Sequence, residues 1–476
     1  METKQQQPFL VSNTVGLAPQ DHNSASGSLN RNRCKWISLA LLTAALSLTV
    51  FLIHPSQPPQ AMLETPHALT NTSLATAFSY RPFYGPPGAV VYYTNWARYS
   101  RGTVDSIAFT GISAVNYAFY FVDKSGVVTS SDSWADSLNL PALRAQRSKY
   151  PQLRTVAAIG GWTGSGFFSD VAASSVARTA FANNVLNLLD SEGFDGVDLD
   201  WEYPGGTGGL WSNSKSPYDA QNFVLLLKEL RAKLGTSRLI SIAVAARTNP
   251  YGTSLTQIAQ LVSYMNVMSY DFNGPWSKYS DLNAALNLDP RLTNPNPNKI
   301  TISSVLNSYV QAGVSKSKLV PGIAFYGRSW QVNSPLSNNG LYQACSSTIN
   351  PASATGACFA IMGDVNDVPY TDSAGVKIYS GIWTYRNLRS QTNSPLLGPT
   401  TPRSGWTRRY FTILEAATLS SGSTTAKKFI SYEDPTSVQA KAYWSKLQGY
   451  GGMMVWEITF DYQQELTSAL LRGWNA

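Results

Sequence analysis

Eight short apolar runs, separated by stretches of helical character, set the limits on what this chain can fold into. They are AVVYYTN (89–95), ISAVNYAF (112–119), LRTVAAIG (153–160), FDGVDLD (194–200), LISIAVA (239–245), YMNVMSY (264–270), LVPGIAF (319–325) and GMMVWE (452–457). Near-continuous hydrophobicity, rather than alternation, marks strands covered on both faces, as in a parallel sheet. Between the runs, segment 174–192 groups Val176, Phe181, Val185, Leu188 and Leu189 on one side and meets Gly193 as a stop. Segments 217–234 and 435–448 end at Gly235 and Gly449 in the same way. Eight strand–helix units predict an α/β fold, a (β/α)8 TIM barrel, which needs ~250 residues. Residues 86–476 exceed that. The widest gap, 331–430, lies between strands seven and eight; it holds strand-like KIYSGIWTY (377–385) and KKFISY (427–432) and is expected to be an α+β insertion.

The chemistry open to such a barrel is narrowed by its histidines, which are His22, His54 and His67 and nothing beyond. Ser-His-Asp triads, Cys-His pairs and histidine-bound zinc are therefore excluded from the barrel. Charged residues are 13% of the chain, about half the globular norm of ~25%. The net charge of +8 is thus thinly spread, and no nucleic-acid partner is expected.

Ahead of the barrel, residues 1–35 are polar and read as a disordered cytosolic tail. Trp36 to Ile53 is an uncharged run that would span about 27 Å as a helix, enough for a thin bilayer. Arg31, Arg33 and Lys35 precede it, and 54–80 contains no Lys or Arg, so the positive-inside rule puts the body outside the cell. The expectation is a single-pass signal anchor with a proline-containing stalk at 54–85; the alternative is a long signal peptide, cleaved to release a secreted protein. On the outer side Cys345 and Cys358 are placed to pair, and Asn71 opens a glycosylation sequon, Asn71-Thr72-Ser73.

The fourth run carries the densest chemistry, Asp195-Gly-Val-Asp198-Leu-Asp200-Trp-Glu202-Tyr. Strand side chains alternate, so Asp198, Asp200 and Glu202 share one face, at the strand's carboxyl end where barrel enzymes keep their catalytic groups. Mutual repulsion is expected to keep at least one of them protonated near neutral pH, as a proton donor for glycosidic cleavage requires. On residue type alone a Mg²⁺ or Mn²⁺ site also stays open, as does an acidic cap. The glycines of 204–209 lack the Lys-Ser/Thr of a phosphate-binding loop and read as a cleft loop.

The motif Asp195-x-x-Asp198-x-Asp200-x-Glu202 resembles the DxxDxDxE signature of family 18 glycoside hydrolases, the chitinases. The resemblance runs through the whole body. It takes in Tyr92-Tyr93-Thr94-Asn95-Trp96, Asn116-Tyr117-Ala118-Phe119, Ile159-Gly160-Gly161-Trp162, Met268-Ser269-Tyr270-Asp271, Phe325-Tyr326-Gly327-Arg328-Ser329-Trp330 and Met454-Val455-Trp456-Glu457. It implies substrate-assisted catalysis on chitin or chito-oligosaccharides, without cofactor or metal, in a monomer. Glu202 would be the acid, Asp200 would hold the substrate's acetamido N–H, Asp198 would share its proton, and Tyr270 would donate to the acetamido oxygen. Asp195 would support the motif. Tyr92, Trp96, Phe119, Gly161, Trp162, Tyr203, Met268, Asp271, Trp276, Tyr326, Arg328 and Trp456 would contact substrate, and Trp330 is a further candidate stacking face. Ala158 stands where the family often has a serine bonded to the inner aspartate, which is expected to shift the pH optimum. Two other readings compete: a chitin-binding lectin on the same barrel, and a D-x-D glycosyltransferase.

Overall fold

The computed structural model describes residues 87–206, 212–274, 276–296, 299–332, 338–344, 362–367, 369–371, 377–421 and 427–476. The tail, anchor and stalk expected at 1–85, with Asn71, lie outside these residues, as do Cys345 and Cys358. Among the described residues no helix is long and apolar enough to cross a membrane.

Each apolar run forms a strand. In chain order they are β1 (Gly88–Thr94), β2 (Ala114–Val122), β3 (Arg154–Gly160), β4 (Gly196–Asp200), β5 (Leu239–Val244), β6 (Tyr264–Val267) and β7 (Leu319–Ala324). The eighth run comes after an insertion whose strands are β8 (Tyr326–Val332), β9 (Ile382–Thr384), β10 (Trp406–Phe411), β11 (Ala416–Ser421) and β12 (Lys427–Tyr432). It is β13 (Gly452–Trp456). Strands β1 to β7 pair in parallel with their sequence neighbours, and β13 joins β7 to β1, closing the barrel. Their side chains are almost entirely buried, which is why the runs do not alternate.

The helices between strands bury one stripe each. Helix Ser175–Glu192 starts on Ser174, whose side chain accepts from the Ala177 N–H, and ends on Gly193 in the left-handed region, φ 76°. Its buried stripe is Ala177, Phe181, Val185 and Leu189, spaced by four. Val176, expected on that stripe, is instead 79% exposed, because one residue turns the helix by about 100°.

The insertion departs from expectation at both its edge and its interior. It begins at Tyr326, directly after β7, rather than at 331: β8 leaves the barrel and pairs antiparallel with β9 and β12. The strand expected at 377–385 is two short strands, Lys377–Ile378 and β9, separated at Gly381, φ 67°. The resulting five-stranded sheet, in the order β9-β8-β12-β11-β10, has its own apolar core of Leu282, Trp330, Val332, Leu341, Phe411, Leu414 and Phe429, among others.

Candidate active site

The carboxyl ends of the strands gather the acidic column. Asp198, Asp200 and Glu202 are all buried, at 0%, 4% and 2% exposure. Their surroundings differ by depth. Asp198 is the deepest and is fully partnered: the Tyr92 hydroxyl donates to Oδ2 at 2.6 Å, and Ser241 Oγ at 2.6 Å and Asn266 Nδ2 at 3.1 Å donate to Oδ1. Above it, Asp200 Oδ1 and Glu202 Oε2 have no hydrogen-bond partner among the described residues.

That difference sets the protonation of the column. Burial pushes the Asp200 carboxyl well above the carboxylate range, and the charges of Glu202 and Asp198 push it further. Glu202 is pushed up to about 8, by burial first; a hydrogen bond from Tyr203 lowers it and the charge of Asp271 raises it. Mutual repulsion was the expected cause, but desolvation is the larger one at every member of the column. Burial raises Asp198 as well, and its three donors pull the other way.

The backbone beneath the column is pinned. Ser165 Oγ accepts from the Glu202 N–H at 2.9 Å and lies within hydrogen-bond distance of the Asp200 and Gly161 carbonyls. Gly160, φ 111°, and Gly161, φ 76°, permit this close approach. A Cβ at Gly160 would stand 2.2 Å from the Asp200 carbonyl oxygen, and one at Gly161 would stand 2.6 Å from the Phe119 ring. Gly161 is therefore placed by packing.

Around the column the other candidates fall into groups. Trp456, half-buried, has Phe119 stacked beside it at 5.9 Å and Tyr92 at 5.4 Å, and Trp96 continues the row at 6.2 Å from Phe119. Tyr270 is buried, and its hydroxyl is raised by burial and then by the charges of Asp200, Glu202, Asp271 and Asp198, which places it among all four carboxylates. Asp271 takes the left-handed region, φ 55°, and its N–H donates to Asn283 Oδ1 at 2.9 Å. Its carboxylate accepts from Arg328 Nε at 2.6 Å; the fully buried Arg328 also lies 5.0 Å from the half-buried Trp276 ring. Tyr326 meets Tyr270 edge-on at 6.2 Å. Tyr203 remains part-exposed, while Trp162 and Met268 are buried at 7% and 8%.

Two candidates sit elsewhere. Asp195 lies before β4 with the opposite side-chain parity to the column. It is tied to Arg147 at 2.5 Å and accepts from the Thr155 N–H at 2.9 Å, so it fastens β4 to β3 and a helix. Trp330 is fully buried in the insertion core, and its Nε1 donates to the Gly274 carbonyl. It offers no face to a ligand. Ser165, Ser241, Asn266 and Asn283 escape sequence reasoning, although Ser241 and Asn266 are polar residues inside apolar runs. Among the described residues no group of three or more His, Cys, Asp or Glu side chains is placed to hold a metal ion.

Comparison with known proteins agrees with this geometry. Residues 89–461 match the model of the glycosyl hydrolases family 18. Chitinase A1 of Niallia circulans is 33% identical over 437 residues, covering 80% of this chain and 57% of its own length, so the chain spans little more than half of that relative. Among solved structures, a chitinase from Bacillus thuringiensis superposes with a TM-score of 0.70 at 28% identity, covering 82% of this chain and 70% of that one. A chitinase from Rhizomucor miehei gives 0.68 at 28% identity, covering 81% and 99%. A matched model over most of the barrel, with the acidic column at its mouth, makes this chain a member of the family 18 glycosyl hydrolases.

Proposed function

We propose that the chain cleaves β-1,4 linkages in N-acetylglucosamine polymers, chitin or its oligosaccharides, with retention of configuration and with the substrate's acetamido oxygen as nucleophile. The observation that carries this reading is the pair of buried carboxyl groups, Asp200 and Glu202, each with an oxygen that no group among the described residues satisfies. A polar atom buried without a partner costs stability, and a ligand that supplies the partner removes that cost.

Glu202, held up to about 8, is neutral at pH 7 and can protonate the glycosidic oxygen as the bond breaks. The acetamido carbonyl oxygen attacks the anomeric carbon at the same time, giving an oxazolinium ion instead of a glycosyl-enzyme. Asp200 accepts the acetamido N–H and offsets the positive charge, while Asp198 shares the proton below. Tyr270 donates to the acetamido oxygen, and Asp271, fixed by Arg328, faces the same group. Water then opens the ring and returns its proton to the Glu202 carboxylate. Trp456 is the apolar floor beneath the sugar, with Tyr92, Trp96, Phe119, Trp162, Trp276, Tyr203, Met268 and Tyr326 around it. The chitinases among the relatives support the substrate. The charge distribution around residues 36–53 supports an extracellular body, tethered or released.

The test is turnover of fluorogenic chito-oligosaccharides by the intact chain and by its Glu202→Gln variant, with product anomers followed by NMR. β-anomer formed first, and lost activity in the variant, is the expected result. An inactive wild type that still binds the oligomers would replace this reading with a lectin, and loss of activity with EDTA would favour a metal-dependent transferase.

A further inference from the structure

One residue in the long loop after β6 ties the barrel mouth to the insertion sheet. Asn283 is buried, and each of its four polar groups has a partner. Two of them face the turn that carries Asp271. Asn283 Oδ1 accepts from the Asp271 N–H at 2.9 Å, and its carbonyl accepts from the Phe272 N–H at 3.0 Å. The other two face the insertion: the Asn283 N–H donates to Ser431 Oγ on β12 at 2.9 Å, and Nδ2 donates to the Tyr326 carbonyl on β8 at 3.3 Å. The turn needs an acceptor and the β8 carbonyl needs a donor, so the amide has one orientation that serves both. Its neighbours are pinned as well. The Ala284 carbonyl accepts from Lys441 Nζ at 2.6 Å, and the Leu286 N–H donates to the Leu414 carbonyl at 2.8 Å.

Asp271 needs such support. Its φ of 55° is a left-handed conformation that residues with a side chain keep only where their contacts hold it. Arg328, also on β8, donates to its carboxylate at 2.6 Å. The insertion therefore grips Asp271 at both ends, the carboxylate through Arg328 and the backbone through Asn283. The charge held there reaches Glu202 and raises that carboxyl. The other titratable groups facing Glu202 are Asp200 and Tyr203 on its own strand and the turn after it, Tyr251 after β5 and Tyr270 after β6. Arg247, after β5, lies 5.9 Å from the Tyr203 ring. Asp271 itself is faced by Tyr270 and, from β8, by Arg328 and Tyr326.

Resting on the substrate-assisted reading above, we propose that Asn283 is a positioning residue through which the insertion holds Asp271: its side-chain amide bridges the Asp271 N–H and the Tyr326 carbonyl, and so keeps the Asp271 carboxylate beside Glu202 and toward the acetamido group. Asn283 itself exchanges no proton and touches no reacting atom. Without the amide, the turn relaxes from the left-handed region and the carboxylate recedes. A like charge nearby disfavours ionisation, so as that charge recedes Glu202 gives up its proton at lower pH. A displacement of this kind also misplaces a group that orients the substrate, which costs rate.

The experiment compares kcat/KM against pH on a fluorogenic chito-oligosaccharide for the intact chain, Asn283→Ala, Asp271→Asn and the double variant, with thermal melts to verify folding. Asparagine tolerates the left-handed region, so Asp271→Asn removes the charge and keeps the turn. It moves the alkaline limb, governed by Glu202, down by about one pH unit. Asn283→Ala moves the same limb down by less than that, and kcat/KM falls roughly tenfold or more. In the double variant the limb stays where Asp271→Asn put it, because the charge through which Asn283 acts is gone. Asn283→Ser, too short to span both partners, moves the limb as alanine does and serves if the alanine variant does not fold. Where turnover of a variant is too low for a profile, the Glu202 carboxyl is titrated by ¹³C NMR, its signal assigned by its loss in Glu202→Gln. Folded Asn283 variants with an unmoved alkaline limb overturn the inference alone, since a purely structural role would lower the melt and leave the limb in place. An equal further shift in the Asp271→Asn background overturns it too. A wild type without turnover at any pH overturns the hydrolase reading and the inference with it.

Discussion

Asp364 and Asp367 in the insertion are buried about as deeply as Asp200 and Glu202 at the barrel mouth, yet their surroundings are opposite. Asp364 accepts from the Asn366 and Thr384 N–H groups and the Thr384 hydroxyl. Asp367 accepts from the N–H groups of Gly363, Ser380 and Gly381 and from the Ser380 hydroxyl. Those donors replace water and hold two loop segments against β9. At the mouth, Asp200 and Glu202 each keep an oxygen with no donor among the described residues, and burial holds their protons on above the ordinary carboxylate range. Burial by itself therefore does not separate a structural acid from a reactive one. On the proposed function, burial without partners does.

The sharpest way to break this comparison is to neutralise one acid from each set. Glu202→Gln is expected to lower kcat on chito-oligosaccharides by about a thousandfold, the size of a lost general acid, with the fold intact by circular dichroism. Residual activity within tenfold of wild type would mean that Glu202 is not the acid. Asp364→Ala should do the reverse. It leaves the two buried donors of Thr384 and the part-buried Asn366 N–H unsatisfied and costs about 3 kcal/mol in denaturant unfolding, while kcat of the folded protein stays within about twofold. A catalytic loss without a stability loss there would erase the distinction between the two regions.

The barrel and its acidic column were legible because both depend on local pattern. Apolar runs long enough to be buried on both faces identify the strands, and period-two spacing puts Asp198, Asp200 and Glu202 together. The same parity rule sets Asp195 apart, and its ion pair with Arg147 bears that out. What escaped depends on which strands are neighbours and in what register. Ser241 and Asn266 reach Asp198 only because β5 and β6 follow β4 around the barrel. Asn283 reaches Asp271 through a long loop. The insertion edge falls at Tyr326 rather than 331 because β8 follows β7 without a turn signal, and Trp330 looked available because nothing local revealed the second core it fills.

A smaller effect concerns stability at the mouth. The Glu202 carboxyl ionises at about 8 in the folded chain, against 4.5 ordinarily. Between those values the unfolded chain ionises first, so the wild type loses stability through this group as pH rises from about 4.5 to 8 and regains it on acidification. Glutamine does not titrate. Glu202→Gln should therefore be more stable than wild type by roughly 2–4 kcal/mol at pH 9 and equal to it at pH 4, measured by denaturant unfolding at both. A gain of the same size at both pH values would point to packing rather than ionisation.

The smallest expected effect tests whether the satisfied end of the column has room for another donor. Asp198 Oδ2 accepts only from Tyr92, and a carboxylate oxygen can take a second bond. Ala158 lies in register with Asp198 on β3, so Ala158→Ser brings a hydroxyl to that flank. An added donor favours the charged carboxylate and lowers its ionisation, so the acid limb of kcat/KM should move to lower pH, by less than about one unit. The alkaline limb should not move, because Glu202 loses and gains no partner. If the limb stayed put while the variant folded normally, Asp198 would already be fully ionised across the active range, and the proton balance at the mouth would belong to Asp200 and Glu202 alone.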